Sequence, residues 1–172
     1  MEIIIDISEI NTGDILLVSS KSKLSTLIQK FEGGKWSHSA IFWWVYGELF
    51  VIEADKYGIA ITKFSDYLNS NSDLLILKPT FKVDGSEYGK FMLPYIGHTP
   101  YNYFDLFIVQ PIYILSNKKI WLGDKNTSRF MCSEFIAFVY NHFNSLIFED
   151  WSKLTPEDLF DSIFFKHFEI KK

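Results

Sequence analysis

Cys132 is the single cysteine of this 172-residue chain, and with His38 it could form a nucleophile pair. A thiol deprotonated by an imidazole attacks carbonyl carbon, so the pair points to acyl transfer or hydrolysis. Their separation in sequence is no obstacle, because folds join such partners in space. Cys132 falls where a helix is predicted to begin, in Met131-Cys132-Ser133-Glu134-Phe135-Ile136. Free N–H groups and the positive end of the helix dipole at that position favour a thiolate and can receive an oxyanion. The plainer alternative is that a lone cysteine on an apolar helix stripe only fills space. His38 stands at the start of a very apolar run, at the rim of a core. His98 is a weaker rival in a loop, His142 lies on the wrong turn of the cysteine's own helix, and His167 reads as structural. Glu53 interrupts an apolar strand and needs a partner, for which an imidazolium across a hairpin is suited. A tight turn at Gly47-Glu48 would set Phe42 opposite Glu53 and make Asp55 the nearer, diagonal neighbour of His38. A bulge or wider loop would bring Glu53 level instead. Glu53 ranks first, with Asp55 as its rival.

Several elements must position these side chains. Ile3 to Ile10 precedes a turn at Asn11-Thr12-Gly13-Asp14, and Ile15 to Val18 reads as a buried strand. Ser22 caps a helix over Lys23 to Phe31, with Leu24, Leu27, Ile28 and Phe31 at helical spacing and Gly33-Gly34 at its end. Strands over Ser37–Tyr46 and Leu49–Ala54 form the hairpin. A short strand at Ile59–Thr62, a helical turn at Phe64–Leu68 and a strand from Leu74 to Pro79 follow. The second half is more helical. It has a segment from a cap at Ser86 to Ile96, a stretch from Tyr103 to Val109 ending before Pro111, and an exposed loop over Gly123–Arg129. The most regular helix runs from Cys132 to Phe143, with Cys132, Phe135, Ile136, Val139 and Phe143 on one face. Thr155 and Pro156 start another. The pattern is α+β, a small antiparallel sheet packed against helices, read as one domain over residues 1–172.

Charge and composition exclude some classes. The net charge of −4 gives no bulk signal for nucleic acid or an anionic membrane. One cysteine excludes an internal disulfide framework and a multi-cysteine zinc site. The first residues lack a basic secretory leader, and no apolar run reaches the roughly 18 residues of a membrane span. The expected setting is cytoplasmic. Aromatic residues make up 18% of the chain, enough for a large aromatic core or an apolar groove.

Taken together, four segments resemble the circularly permuted papain-like cysteine hydrolases, relatives of the NlpC-type peptidases that include the YiiX/YebB-like group. These are Thr12-Gly13-Asp14-Ile15-Leu16-Leu17, Trp36-Ser37-His38-Ser39-Ala40-Ile41, Val51-Ile52-Glu53-Ala54 and Met131-Cys132-Ser133-Glu134-Phe135. They resemble the family's Gly-Asp strand, Ser-His strand, acidic strand and Cys-Ser-Glu helix start, in the order histidine, acid, cysteine. The resemblance implies Cys132 as nucleophile, His38 as general base, Glu53 as the group orienting the imidazole, and Tyr103 as a substrate-side or oxyanion donor. It implies a papain-like fold with no cofactor and no metal. The substrate would be a peptide, muropeptide or acyl ester. Residues from Asn144 onward match no motif. A lipid-directed thioesterase or acyltransferase on the same residues is a second reading, drawn from the aromatic segments. A binding domain that keeps Cys132 only in its core is a third, because fold does not fix function.

Overall fold

Ile15 to Val18 are apolar at every position because both faces of their strand are covered. In the computed structural model this strand, β2 (Ile15–Ser19), is the centre of a seven-stranded sheet. The structure describes residues 4–117, 119–123, 125, 127–144 and 147–170. The other strands are β1 (Ile4–Ile5), β3 (His38–Val45), β4 (Glu48–Asp55), β5 (Gly58–Lys63), β6 (Asp73–Pro79) and β7 (Phe165–Ile170). They lie in the order β1-β7-β6-β2-β3-β4-β5. All neighbours are antiparallel except β1 and β7, which run parallel.

The helices are α1 (Lys23–Glu32), α2 (Phe64–Leu68), α3 (Gly85–Met92), α4 (Gln110–Leu115), α5 (Cys132–Phe143) and α6 (Pro156–Phe160). Alternation along the strands sorts the core into two layers. Ile15, Leu17, Ile41, Ile52 and Leu77 face one cluster with Phe135, Ile136, Val139 and Tyr140 of α5. Leu16, Val18, Phe42, Val51 and Ile76 face the other, closed by Phe64 of α2 and by Ile5 and Ile10. Helix α5 is buried on nearly every side, beyond the single stripe its spacing predicted, because it packs across β3 and β4 beneath α3 and α6.

Several local expectations shift for physical reasons. The hairpin turn is Tyr46-Gly47, one residue earlier than expected, with φ of 48° and 81°. Paired positive φ values match the twist of the flanking strands, and Gly47 takes its value without a Cβ penalty. The cap of α3 is Asp84 rather than Ser86, because its carboxylate accepts from the N–H groups of Ser86 and Glu87. The stretch before Pro111 does not end there. A π-helical turn at Asp105–Val109 leads directly into α4, whose first turn accommodates the proline's missing N–H. Strand β7 lies in the segment that carried no sequence signal, and it enlarges the sheet. Ser22 caps α1 as expected and Gly33 ends it at φ 72°. Of its apolar positions Ile28 is half-buried, and Leu24, Leu27 and Phe31 have side chains outside the described set. Among the described residues, no helix is long and apolar enough to cross a membrane.

Candidate active site

Strand β3 delivers His38 at its first residue, and β4 delivers Glu53 two residues before its end. The ladder pairs Ile41 with Ile52 and Phe42 with Val51. Carried on, that count sets Ala40 against Glu53 and His38 against Asp55. Glu53 is thus the diagonal neighbour, yet it takes the imidazole: His38 Nε2 lies 2.5 Å from Glu53 Oε2. Asp55 instead accepts from the Tyr57 N–H at 2.7 Å and closes the turn into β5.

Two residues not singled out in the sequence complete the setting of Glu53. Thr62 Oγ1 donates to Glu53 Oε1 at 2.6 Å, and the Tyr67 hydroxyl donates to Oε2, the oxygen that also faces His38. Thr62 comes from β5 and Tyr67 from the single turn of α2. A strand threonine and an isolated tyrosine carry no local signal of such a role. Only the register of β4 on β5, which sets Glu53 opposite Ala60, brings Thr62 to the carboxylate. Burial alone would raise the Glu53 carboxyl, but the His38 imidazole, Thr62 and Tyr67 outweigh it and hold its pKa well below the usual range.

Cys132 is the first residue of α5, and a Glu134 carboxyl oxygen accepts from the Met131 N–H at 2.7 Å to fix that start. The thiol faces the His38 imidazole and Ser39. Burial pushes the thiol up, yet His38 and Ser39 bring its pKa below the ordinary value. Burial would likewise lower the imidazole, and Cys132 and Glu53 on either side instead raise it. These directions favour a thiolate–imidazolium pair. With Nε2 committed to Glu53, the ring nitrogen left for the thiol is Nδ1. Elsewhere, His142 stacks on Phe91, His167 bonds the Phe160 carbonyl and His98 is an exposed loop residue.

A cleft of about 490 Å³ opens beside His38, lined also by Glu53, Asp55, Tyr67, Tyr101 and Tyr103. The Tyr103 hydroxyl donates to the Lys56 carbonyl at 2.7 Å, so its proton braces the cleft wall and is not aimed at the thiol. Cys132 itself is 6% exposed and lines a separate void of about 10 Å³. Ile28, Ser37, Tyr101 and Leu106 line both spaces, so the two adjoin.

The fold has a structural counterpart. The metalloprotein YiiX of Escherichia coli O157:H7 superposes with a TM-score of 0.68 over 91% of this chain and 95% of that one, at 15% identity. A family profile described as permuted papain-like amidase, YaeF/YiiX, C92 family, matches residues 9–92. The chain has the permuted papain-like fold. The matched stretch of that fold holds Gly13-Asp14, His38, Glu53, Thr62 and Tyr67, and it stops short of Cys132. No curated protein matches the sequence. In the permuted papain-like frame the Gly13-Asp14 step is structural. Gly13 sits at φ 95°, its carbonyl receives the Tyr140 hydroxyl, and the buried Asp14 pairs with Lys78 at 3.3 Å.

Proposed function

We propose that the chain is a cysteine hydrolase of peptide-type amide bonds, with Cys132 as nucleophile, His38 as general base and acid, and Glu53 as the group that orients the imidazole. The observation that carries this reading is the contact of a helix-start thiol with an imidazole whose far nitrogen is held by a buried, three-donor carboxylate. The amidase family profile supports the reaction class.

In the forward step the thiolate attacks the scissile carbonyl, and N–H groups at the start of α5 receive the oxyanion. The C–N bond breaks as His38 Nδ1–H gives its proton to the leaving amine. Water then adds to the thioester, losing a proton to His38, and the acid is released with the thiolate restored. Glu53 keeps its charge throughout and holds the ring in one tautomer.

The YiiX structure is described as a metalloprotein. Here both Glu53 oxygens and His38 Nε2 are already hydrogen-bonded, and among the described residues no three His, Cys, Asp or Glu side chains are grouped to hold a metal ion. Those residues do not fit a metal.

The test is turnover of peptide and muropeptide amides by the purified protein and by Cys132→Ser. The expected loss is at least about 10³-fold; undiminished turnover by Cys132→Ser would sink the proposal. Alkylation of Cys132 by iodoacetamide should stay fast well below the unperturbed thiol pKa of about 8.5, and the low-pH reactivity should vanish in His38→Ala. A second reading, hydrolysis or transfer of acyl chains, draws on the exposed Phe107, which stacks on Tyr103 of the cleft wall. Turnover of acyl esters but not amides would decide for it.

A further inference from the structure

Gln110 begins α4, is only 4% exposed, and lines the same small void as the Cys132 thiol. Its Oε1 has no hydrogen-bond partner among the described residues. Leaving a buried acceptor unpaired is destabilising, a cost that a leucine at the same place would avoid. The neighbours do not repair it. Ile28, Leu106, Met131 and Pro156 are apolar, Ser37 gives its hydroxyl proton to the Val18 carbonyl, and Ser133 gives its own to the Leu154 carbonyl. Tyr101, which also lines the void, makes no hydrogen bond to Gln110 Oε1. A void of about 10 Å³ admits a single small group. The wall of the thiol's own cavity therefore presents an unpaired amide oxygen that matches an N–H donor.

We infer that Gln110 is a specificity-determining residue, whose side-chain oxygen accepts the N–H of the scissile amide and so selects amides over esters. This deepens the hydrolase reading and rests on it. An ester sets an oxygen lone pair where the amide has its hydrogen, leaving Gln110 Oε1 unpaired in the complex as well. Sites built around a substrate N–H reject analogues that lack it, because their own polar group then stays buried and unsatisfied.

The inference can be read without turnover. Cys132 is alkylated in parallel by iodoacetamide, which carries amide N–H groups, and by ethyl iodoacetate, which does not. In each case the C–S bond forms, iodide leaves and the thiol proton is lost. Both rates are divided by those of glutathione at the same pH. The wild-type amide-to-ester ratio is expected about tenfold above that of the free thiol. Gln110→Leu should return it to the free-thiol value, with a Tm equal to or above wild type. Gln110→Met serves as the second variant should the leucine protein fail to fold. An unchanged ratio in these variants overturns the inference. So does an equal slowing of both reagents, which would mean that the carboxamide presents its N–H₂ end to the carbonyl oxygen. A wild-type ratio equal to glutathione's, alongside Cys132-dependent turnover, would remove the role of Gln110 and leave the hydrolase standing. Turnover independent of Cys132 would remove the hydrolase reading itself.

Discussion

Glu53 accepts three donors on two oxygens, and one of those oxygens is shared by the His38 ring and the Tyr67 hydroxyl. Tyr67 is thus set to fix the carboxylate and to keep it ionised. Removing that donor raises the Glu53 pKa, so the acidic limb of the activity profile should move to higher pH in Tyr67→Phe. Turnover should fall about tenfold, in line with the loss of one hydrogen bond to a charged group. A pH–rate profile unchanged from wild type would show that Tyr67 only fills space. At this scale the sequence was informative where a residue broke its local pattern. A lone thiol at a helix start, a histidine opening an apolar strand and a carboxylate inside another are each visible alone. Thr62 and Tyr67 break no pattern, and their roles arise only from strand register and the placing of a one-turn helix. Gln110 was hidden by Pro111, read as the stop of a helix that in fact continues.

The start of α5 carries an electrostatic cost of its own. Burial pushes the Glu134 carboxyl up to about 8, and nearby Asp105 and Cys132 add to the shift, against the Met131 N–H and Asn102. At neutral pH this side chain keeps its proton. A folded pKa above the unfolded value means that the folded state holds the proton more tightly. The contribution is complete below about 4.5 and is lost as pH rises through about 8. Glu134→Gln keeps an oxygen for the Met131 N–H and has nothing to titrate. Relative to this variant the wild type should therefore lose stability across that window, the two diverging by on the order of a few kcal/mol. Denaturant melts at a series of pH values check this; parallel curves would refute it. Elements with strong periodicity or clear caps, such as α1, α5 and the β3–β4 hairpin, were readable from spacing. The hairpin's register was not, because moving a two-residue turn by one position changes every cross-strand partner.

The largest omission from the sequence reading is β7, whose reason to exist lies far away in the chain. Its residues Phe165 to Phe168 pair with β6, and Phe165 packs edge-on against Tyr140 of α5, with ring centroids 5.5 Å apart. A mixed segment such as Phe165-Lys166-His167-Phe168 becomes a strand only when a sheet edge is offered to it. Phe165→Ala should destabilise the protein by about 3–5 kcal/mol, measured by thermal or denaturant unfolding. A loss under about 1 kcal/mol would mean that β7 is dispensable to the core.

The parallel pairing of Ile4 with Glu169 and Ile5 with Ile170 sets the first and last strands side by side. Because the two run parallel, the end of β7 lies beside the end of β1, and a crossover of roughly a dozen residues would tie it back to the start of β1. Such a ring could be cut in the exposed stretch at Thr127-Ser128, close before Cys132. The rewired chain would run cysteine, histidine, acid, the order of papain itself, with every strand and helix of the present fold still adjacent to the same neighbours.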